Sequence, residues 1–282
     1  MADEGLWVPA GHFYSPIVDP DDAHVRQAMD LEAHPPDSAA ALGLDEAEML
    51  RWFALVAQRY DPPSFPESPR EGSLYHYANP AFPLADALAL LAVMLEKKPK
   101  RYVEIGCGFS SCAAIDISER RLGGRVEMAF LDPYPEALLA LLPENSLYRD
   151  RIRRVKAQDA PLETFTELAA GDILFIDSSH VAKTGSDALD YLFRILPALA
   201  PGVLIHVHDI FFPFEYPAAW IVDQNRSWNE AYFLRAFLQA NPRYRVIFFS
   251  DWIFKCRRDL LAAAMPLCVE HRGGSLWIEK NR

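Results

Sequence analysis

From residue 101 to residue 280 the sequence alternates short apolar segments with longer segments of helical periodicity. The apolar segments predict seven strands, at residues 101–105, 125–131, 151–157, 172–176, 202–208, 244–250 and 275–280. Apolar strands that alternate with helices are typical of a parallel sheet buried on both faces. The last two strands lack a clear helical connection as long as the others, so we expect a mixed sheet near the C-terminal edge. The pattern therefore predicts an α/β fold with a doubly wound seven-stranded sheet.

The N-terminal part of the chain lacks this alternation. Residues 1–22 are irregular and contain the aromatic stretch GHFYSPIVDP, and residues 23–60 have helical periodicity. The stretch DPPSFPESPREGS at residues 61–73 predicts a loop or linker, because its prolines interrupt a helix. We therefore predict an N-terminal extension or helical lid over residues 1–73 and the main domain over residues 74–282.

Charge and hydropathy restrict the partners that we expect. The formal net charge is −11, whereas binding to nucleic-acid phosphates requires clustered lysine and arginine, so we expect no nucleic-acid partner. The one basic cluster, from Arg149 to Lys156, is interpreted as a solvated face. The longest apolar run, FPLADALALLAVML, is too short to span a membrane and contains Asp86, so we expect a buried helix and no membrane partner.

The four cysteines and the start of the chain suggest a compartment. Cys107, Cys112, Cys256 and Cys268 form no C-x-x-C pair and have no histidine cluster beside them, so free thiols in a reducing cytosol are expected. The first residues, MADEGLWVPA, lack the basic and apolar regions of a signal peptide. The sequence thus predicts a cytoplasmic protein. It does not decide between a monomer and a homo-oligomer.

The stretch VEIGCGFSS at residues 103–111 joins the first predicted strand of the sheet to a helix. Gly106 and Gly108 let the backbone turn tightly and approach a ligand closely, and the following helix offers free N–H groups. In doubly wound sheets, ligands bind beyond the carboxyl ends of the strands near the switch point. We therefore expect a cofactor at this loop, although a glycine turn without a ligand is an alternative.

Two cofactors fit a glycine loop of this kind. A dinucleotide fingerprint has a third glycine, but Ser111 occupies that position here. Glu104 would also lie close to a pyrophosphate, which is unfavourable for two anions. S-adenosylmethionine carries an ammonium and a sulfonium and no phosphate, so an acid before the glycines suits it. The residues therefore favour S-adenosylmethionine over a nicotinamide dinucleotide.

Two further acids follow predicted strands. Asp132 ends the second strand, where a carboxylate can accept both ribose hydroxyls, although such an acid is often a turn or cap residue instead. Its distance in sequence from Gly106 favours the ribose role. Asp159 follows the third strand and either accepts a hydrogen bond from the adenine amino group or caps the next helix.

These residues carry a resemblance to a known family. The motifs EIGCG, Asp132, Asp159, DILFIDSSH and VHDI resemble those of class I S-adenosylmethionine-dependent methyltransferases. Longer stretches resemble a bacterial methyltransferase-domain family whose members mostly lack an assigned substrate: GHFYSPI, YHYANPAFPLADA, IDSSHVAKTGSD, LAPGVLIHVHDIFFPFEYP and WNEAYFL. The resemblance implies a Rossmann-like fold with an antiparallel last strand. It also implies cofactor contacts, which we assign to Glu104, Gly106, Gly108, Ser110, Asp132 and Asp159.

A second group of polar residues follows the fourth and fifth strands. Adjacent strands would place Asp177, His180, His208 and Asp209 on one rim near the cofactor methyl group. Such a group can bind a divalent cation, act as a general base on a hydroxyl, or hold the loops together. We expect catalytic roles for His180, His208 and Asp177, whereas His206 is interpreted as a core residue.

The cation alternative follows from a further resemblance. Asp177 and Asp209 match by position the metal ligands of metal-dependent O-methyltransferases, so Mg²⁺ or Mn²⁺ is the expected ion. His208 departs from that pattern, because the sugar-modifying members often have an acid there. This departure leaves the cation and a metal-free histidine base as alternatives.

Aromatic residues surround the expected mouth of the site. Phe211, Phe212, Phe214, Tyr216, Trp220, Phe13 and Tyr14 either pack in the core or line a substrate pocket, and we expect about half in each role. The preferred function is methylation, at oxygen, of a small-molecule or saccharide-like acceptor. A non-catalytic cofactor-binding module and a nicotinamide-dependent oxidoreductase are the alternatives.

Overall fold

A seven-stranded sheet forms the centre of the computed structural model, which describes residues 7–60 and 64–281. Its strands are β1 (Arg101–Ile105), β2 (Glu127–Leu131), β3 (Ile152–Arg153), β4 (Ile173–Ile176), β5 (Leu204–Val207), β6 (Tyr244–Phe249) and β7 (Leu276–Lys280). They lie in the order β3-β2-β1-β4-β5-β7-β6, and β7 runs antiparallel to both of its neighbours. The predicted α/β class, the mixed sheet and the antiparallel last strand are confirmed.

The strand order reverses direction between β1 and β4. Successive strands run outward from β1 to β3, and the chain then crosses back to β4 and continues through β5 on the other side. Right-handed crossovers therefore place the helices of the two halves on opposite faces of the sheet. The carboxyl ends of β1 and β4 meet at this switch point, where doubly wound sheets bind their ligands.

Helices cover the sheet. They are α1 (Ala23–Ala33), α2 (Glu46–Gln58), α3 (Leu84–Lys97), α4 (Phe109–Arg121), α5 (Glu136–Leu141), α6 (Glu163–Thr166), α7 (Asp187–Asp190), α8 (Leu196–Ala198), α9 (Ala218–Val222), α10 (Glu230–Leu238), α11 (Ser250–Cys256), α12 (Arg258–Ala264) and α13 (Leu267–Glu270). A π-helical turn at Tyr191–Ile195 joins α7 to α8, so the predicted helix after β4 is continuous.

Two local predictions differ from the structure. The strand predicted at 151–157 is reduced to the two residues of β3, because 3-10 turns at Leu147–Arg151 and Ala157–Asp159 enclose it. The connection between β6 and β7 contains three helices, α11 to α13, where the sequence shows no long helix. Each of these helices has seven residues or fewer, which is too short for a clear periodic pattern.

The N-terminal residues contribute to the same core as the sheet. On α2, Met49, Trp52, Phe53 and Val56 are buried, and the helix packs against α3 and β6. Upstream, the amide of Val18 donates to Ser227 Oγ at 3.2 Å, which joins residues 7–22 to the loop after α9. The predicted boundary at residue 73 stays a prediction; residues 1–6 and 61–63 lie outside the described residues.

No helix within residues 7–60 and 64–281 combines the length and the apolar character needed to cross a membrane. All four cysteines are free thiols.

Candidate active site

The first glycine of the loop after β1 is fixed by close packing. Gly106 has a φ of +77°, and its amide donates to the carbonyl of Leu131 at 2.9 Å. A Cβ at this position would lie 1.8 Å from the carbonyl oxygen of Asp177. Only glycine therefore fits where the ends of β1 and β4 meet.

The second glycine faces open space. A Cβ added to Gly108 would meet no atom of the described residues within 4 Å. Its amide donates to Ser111 Oγ at 3.1 Å, and α4 begins at the next residue. The backbone at Gly108 therefore borders a cradle at the N-terminus of a helix, where a ligand could approach the main chain.

Glu104 lies beneath this loop rather than on its open side. The side chain is fully buried, and its carboxylate accepts hydrogen bonds from Ser110 Oγ and, at 3.1 Å, from Tyr102 Oη. Burial raises the pKa of Glu104 from its ordinary value of 4.5 to about 8, against the opposing effect of these hydrogen bonds. The structure thus turns Glu104 and the buried Ser110 toward each other, and their predicted contact with a cofactor stays a prediction.

Asp132 joins the end of β2 to the glycine loop. Its half-buried carboxylate accepts from the Cys107 amide at 3.1 Å and from the Tyr134 amide at 2.7 Å. The carboxylate is therefore held beside the cradle by two backbone groups, and its predicted contact with the ribose hydroxyls stays a prediction.

Asp159 is exposed at the end of a 3-10 turn. The alternative that it caps the next helix is wrong, because α6 begins at Glu163 after Leu162 and has no side-chain cap in the described chain. Its predicted contact with the adenine amino group stays a prediction.

Asp177, His180 and Asp209 converge at the carboxyl ends of β4 and β5. His180 Nε2 lies 3.2 Å from Asp177 Oδ1 and 3.8 Å from Asp209 Oδ2. The three side chains can each offer one ligand atom with all three atoms within 4.8 Å of one another. The Asp177 and Asp209 side chains are partly exposed, by 32% and 22%, whereas His180 is nearly buried. The cluster is therefore partly open to solvent through the two aspartates.

Glu230, at the first residue of α10, completes this cluster and was not among the predicted site residues. Its carboxylate is fully buried and lies 2.8 Å from His180 Nδ1, and Tyr191 Oη donates to its other oxygen at 2.8 Å. The only sequence signal was an acid in the first turn of the apolar helix WNEAYFL. Glu230 fixes the imidazole so that Nε2 points toward the two aspartates.

The charges of the cluster are strongly coupled. Burial alone would lower the pKa of His180, but hydrogen bonds to Asp177 and Glu230 hold it well above its ordinary value. Burial would likewise raise the pKa of Asp177, but the attraction of His208 and His180 leaves it below its ordinary value. Burial raises the pKa of Asp209. Without a bound cation, the neighbouring carboxylates therefore favour the protonated form of His180.

The other two histidines lie deeper in the sheet. His208 is almost fully buried, with Nδ1 3.3 Å from His206 Nε2 and Nε2 3.6 Å from Asp209 Oδ1. His206 stacks on Phe175 with 3.8 Å between the ring centroids, which agrees with its interpretation as a core residue. The Nδ1 atom of His206 has no hydrogen-bond partner in the described part of the chain, so only one of its two ring nitrogens is hydrogen-bonded.

Two of the converging residues have a left-handed backbone. The φ angles are +58° at His180 and +56° at Asp209. Non-glycine residues with such angles cost about 1–3 kcal/mol each and persist where the surrounding contacts fix them. The backbone geometry thus directs both side chains toward the same point.

The aromatic residues near the cluster divide into two groups. Phe212, Phe214 and Tyr216 are buried, and the first two pack against Phe249. Trp220 is half-buried, whereas Phe13 and Tyr14 are exposed. Trp228, which was not predicted, stacks on His180 with 4.3 Å between the ring centroids. The accessible wall of the site is thus formed by tryptophans, and most of FFPFEYP belongs to the core.

The geometry fits a divalent cation. Ligand atoms about 2.1 Å from one ion, at angles between octahedral and tetrahedral, lie roughly 3.0–3.4 Å apart. The His180–Asp177 separation of 3.2 Å is in this range, and the 3.8 Å separation to Asp209 needs only a small movement. Metal-binding histidines usually donate their other ring N–H to a carboxylate, as His180 can to Glu230.

Part of the chain matches a known family. Residues 103–210 match the family model described as a methyltransferase domain. The matched region extends from β1 through β5 and contains the glycine loop, Asp132, Asp177 and Asp209. The match agrees with the predicted resemblance to methyltransferases over this region.

One curated relative is an uncharacterized protein of Archaeoglobus fulgidus, which is 32% identical over 137 residues. The aligned region is 48% of this chain and 62% of the length of the relative.

Several solved structures are similar at low sequence identity. The Podospora anserina methyltransferase PaMTH1, bound to S-adenosylhomocysteine, is 16% identical with a TM-score of 0.43, and the match covers 83% of this chain and 88% of that one. The O-methyltransferase TomG of Streptomyces achromogenes, bound to S-adenosylmethionine, is 14% identical with a TM-score of 0.45, and the match covers 91% and 98%. A putative O-methyltransferase of Klebsiella pneumoniae is 17% identical with a TM-score of 0.42, and the match covers 91% and 99%.

Proposed function

We propose that the chain transfers a methyl group from S-adenosylmethionine to an oxygen of a small-molecule acceptor, with residues 103–210 as the methyltransferase domain. A divalent cation would bind to Asp177, His180 and Asp209. The observation that carries the proposal is the convergence of these three side chains at the carboxyl ends of β4 and β5, next to the glycine loop. Two carboxylates and an oriented imidazole suit an ion that binds a hydroxyl oxygen.

The residues around the loop would hold the cofactor. Bound S-adenosylmethionine supplies an electrophilic methyl group with a good leaving group. The open backbone at Gly108 allows a ligand close to the main chain, and the Asp132 carboxylate is in place to accept the ribose hydroxyls. Because Glu104 is buried, its part would be to hold Ser110 and the shape of the loop.

The acceptor must lose a proton when a hydroxyl is methylated. A bound divalent cation would lower the pKa of that hydroxyl, as metal ions do for bound water.

His180 is poorly suited to act alone as the base, because carboxylates engage both of its ring nitrogens. Asp177 and Asp209 retain the exposure that contact with a cation and an acceptor requires. His208 has little exposed surface, so a role in positioning Asp209 suits it better than contact with the acceptor.

Trp228 and Trp220 would exclude water from one side of this centre and align the acceptor. Residues 7–22, which are joined to Ser227 beside these rings, are the part of the N-terminal extension that could cover the acceptor. The lid function predicted for residues 1–73 would therefore belong to this segment, whereas α2 packs in the core.

The proposal is tested by calorimetry with S-adenosylmethionine and S-adenosylhomocysteine, with Mg²⁺, with Mn²⁺ and with EDTA. We expect micromolar cofactor binding, and Mn²⁺ binding that the double variant Asp177→Asn/Asp209→Asn loses. Asp150→Asn, at an exposed acid in the 3-10 turn before β3, is the control and should bind both ligands normally. Absence of cofactor binding would exclude methyl transfer, and cofactor binding without any Mn²⁺ binding would exclude only the cation.

A further inference from the structure

Arg226 lies between two tryptophan rings beside the acid–histidine cluster. Its guanidinium carbon is 4.4 Å from the ring centroid of Trp220 and 4.5 Å from that of Trp228. Trp228 also stacks on His180, with an angle of 25° between the ring planes. The guanidinium and the candidate cation ligand therefore contact the same indole.

The backbone holds the arginine in this place. The Arg226 amide donates to the Trp220 carbonyl at 2.9 Å, and Ser227 Oγ accepts from Val18. Asn229 then joins the segment to the loop after His180, because its Oδ1 accepts from the Ala182 amide at 2.6 Å. A side chain fixed on a rigid segment loses little conformational entropy when it binds a ligand.

The guanidinium N–H groups of Arg226 have no hydrogen-bond acceptor among the described residues. Among residues 7–60 and 64–281, no carboxylate lies within 4.0 Å of its guanidinium, and the guanidinium donates no hydrogen bond. This is unusual for a half-buried arginine in a chain of net charge −11, where acids are abundant. The planes of the two rings are 80° apart, so the planar guanidinium can stack flat on only one of them, and its N–H groups stay available to a carboxylate or a phosphate.

We propose that Arg226 binds an oxyanion of the acceptor, a carboxylate or a phosphate, while Trp220 and Trp228 hold the guanidinium. The inference rests on the proposed function and names its acceptor class: an anionic hydroxy compound. The Arg226 guanidinium carbon lies 4.5 Å and the His180 ring centroid 4.3 Å from the centroid of the same indole, and a small molecule can span the distance between them. The anion would bind at Arg226 and the hydroxyl to be methylated would lie at the Asp177–His180–Asp209 cluster.

Matched pairs of probes test this inference by calorimetry in the presence of S-adenosylhomocysteine and Mg²⁺. Protocatechuate is compared with its methyl ester, and glycerol phosphate with glycerol, so that the neutral member of each pair keeps the hydroxyl groups and lacks the anionic group. We expect the wild type to bind at least one anionic probe about 10- to 100-fold more tightly than its neutral partner, as for a hydrogen bond to a charged group. The more tightly bound anion distinguishes carboxylate from phosphate.

Three variants complete the design. Arg226→Gln should abolish the preference for the anion, and Arg226→Lys, which keeps the charge but not the planar donor edge, should retain part of it. Arg258→Gln removes an arginine that stacks on Phe254 at 4.6 Å and should keep the full preference. Equal binding of anionic and neutral probes by the wild type, or no binding of either anion at millimolar concentration, would overturn the inference.

Binding of S-adenosylhomocysteine is measured first, so that the two proposals fail in different ways. Normal cofactor binding with no anion preference overturns the role of Arg226 and leaves methyl transfer intact. Loss of cofactor binding in the wild type overturns both.

Discussion

His180 is held at both ring nitrogens: Nδ1 lies 2.8 Å from the buried Glu230 carboxylate, and Nε2 lies 3.2 Å from Asp177. The first contact comes from α10 and the second from the end of β4, so the imidazole joins two elements that are distant in sequence. A ring fixed in this way presents Nε2 in a defined direction, which a metal ligand requires.

Glu230→Gln should weaken Mn²⁺ binding about 10- to 100-fold, because loss of the carboxylate partner makes the imidazole a poorer and less well oriented ligand. The measurement is calorimetry with Mn²⁺ at mildly alkaline pH, where protons compete less for Nε2. Glu215→Gln, which alters an acid that accepts from Tyr232 Oη, is the control. Cofactor binding should be unchanged in both variants. Unaltered Mn²⁺ affinity in Glu230→Gln would mean that the Glu230 carboxylate does not support a metal ligand at His180.

Asp132→Ala should reduce the affinity for S-adenosylhomocysteine about 10-fold or more, because a charged acceptor of the ribose hydroxyls is lost. Asp159→Ala should have a smaller effect, since it would remove only one contact to the adenine. Calorimetry measures both variants, and circular dichroism checks the fold, because Asp132 also accepts from the Cys107 amide. Wild-type affinity in Asp132→Ala would remove the ribose assignment.

The two glycines of the loop should respond differently to alanine. Gly106→Ala places a Cβ 1.8 Å from a backbone carbonyl at a φ of +77°, so it should lower the free energy of unfolding by roughly 2–6 kcal/mol. Gly108→Ala meets open space in the protein, so it should cost less stability and mainly weaken cofactor binding. Urea denaturation and calorimetry measure the two effects. Normal cofactor affinity in Gly108→Ala would show that the ligand does not use this cradle.

The sequence predicted the parts of the site that follow from strand order. Asp177 and Asp209 end adjacent parallel strands, so their proximity follows from the topology, and the conformation of Gly106 follows from the strand–turn–helix pattern. Glu230 could not be found in this way, because its contact with His180 joins residues separated by fifty positions. No local pattern encodes such a contact.

Glu104 shows a different limit of sequence reasoning. In the sequence, an acid next to a glycine loop is typical of a ligand contact. In the structure, the direction of the Glu104 side chain is set by two buried hydroxyl groups, those of Tyr102 and Ser110. The length of β3 depended likewise on the 3-10 turns on either side of it. Both features are decided by tertiary contacts rather than by local propensity.

The burial of Glu104 has a consequence for stability. Its pKa is raised in the folded state, from 4.5 to about 8, so folding favours the protonated form. The stabilising effect of that proton is fully present below about pH 4.5 and is lost as the pH rises through about 8. Glu104→Gln keeps a neutral side chain at every pH and should therefore remove this pH dependence.

We expect the free energy of unfolding of the wild type to fall, relative to Glu104→Gln, by roughly 2–5 kcal/mol across this interval. Urea denaturation at a series of pH values measures the difference, and other titrating groups cancel because both proteins share them. Glu127→Gln, at an exposed acid on β2, is the control and should follow the wild type. If the wild-type and Glu104→Gln curves run parallel, Glu104 is ionised in the folded protein, and a cationic ligand near the loop would then be attracted by its charge.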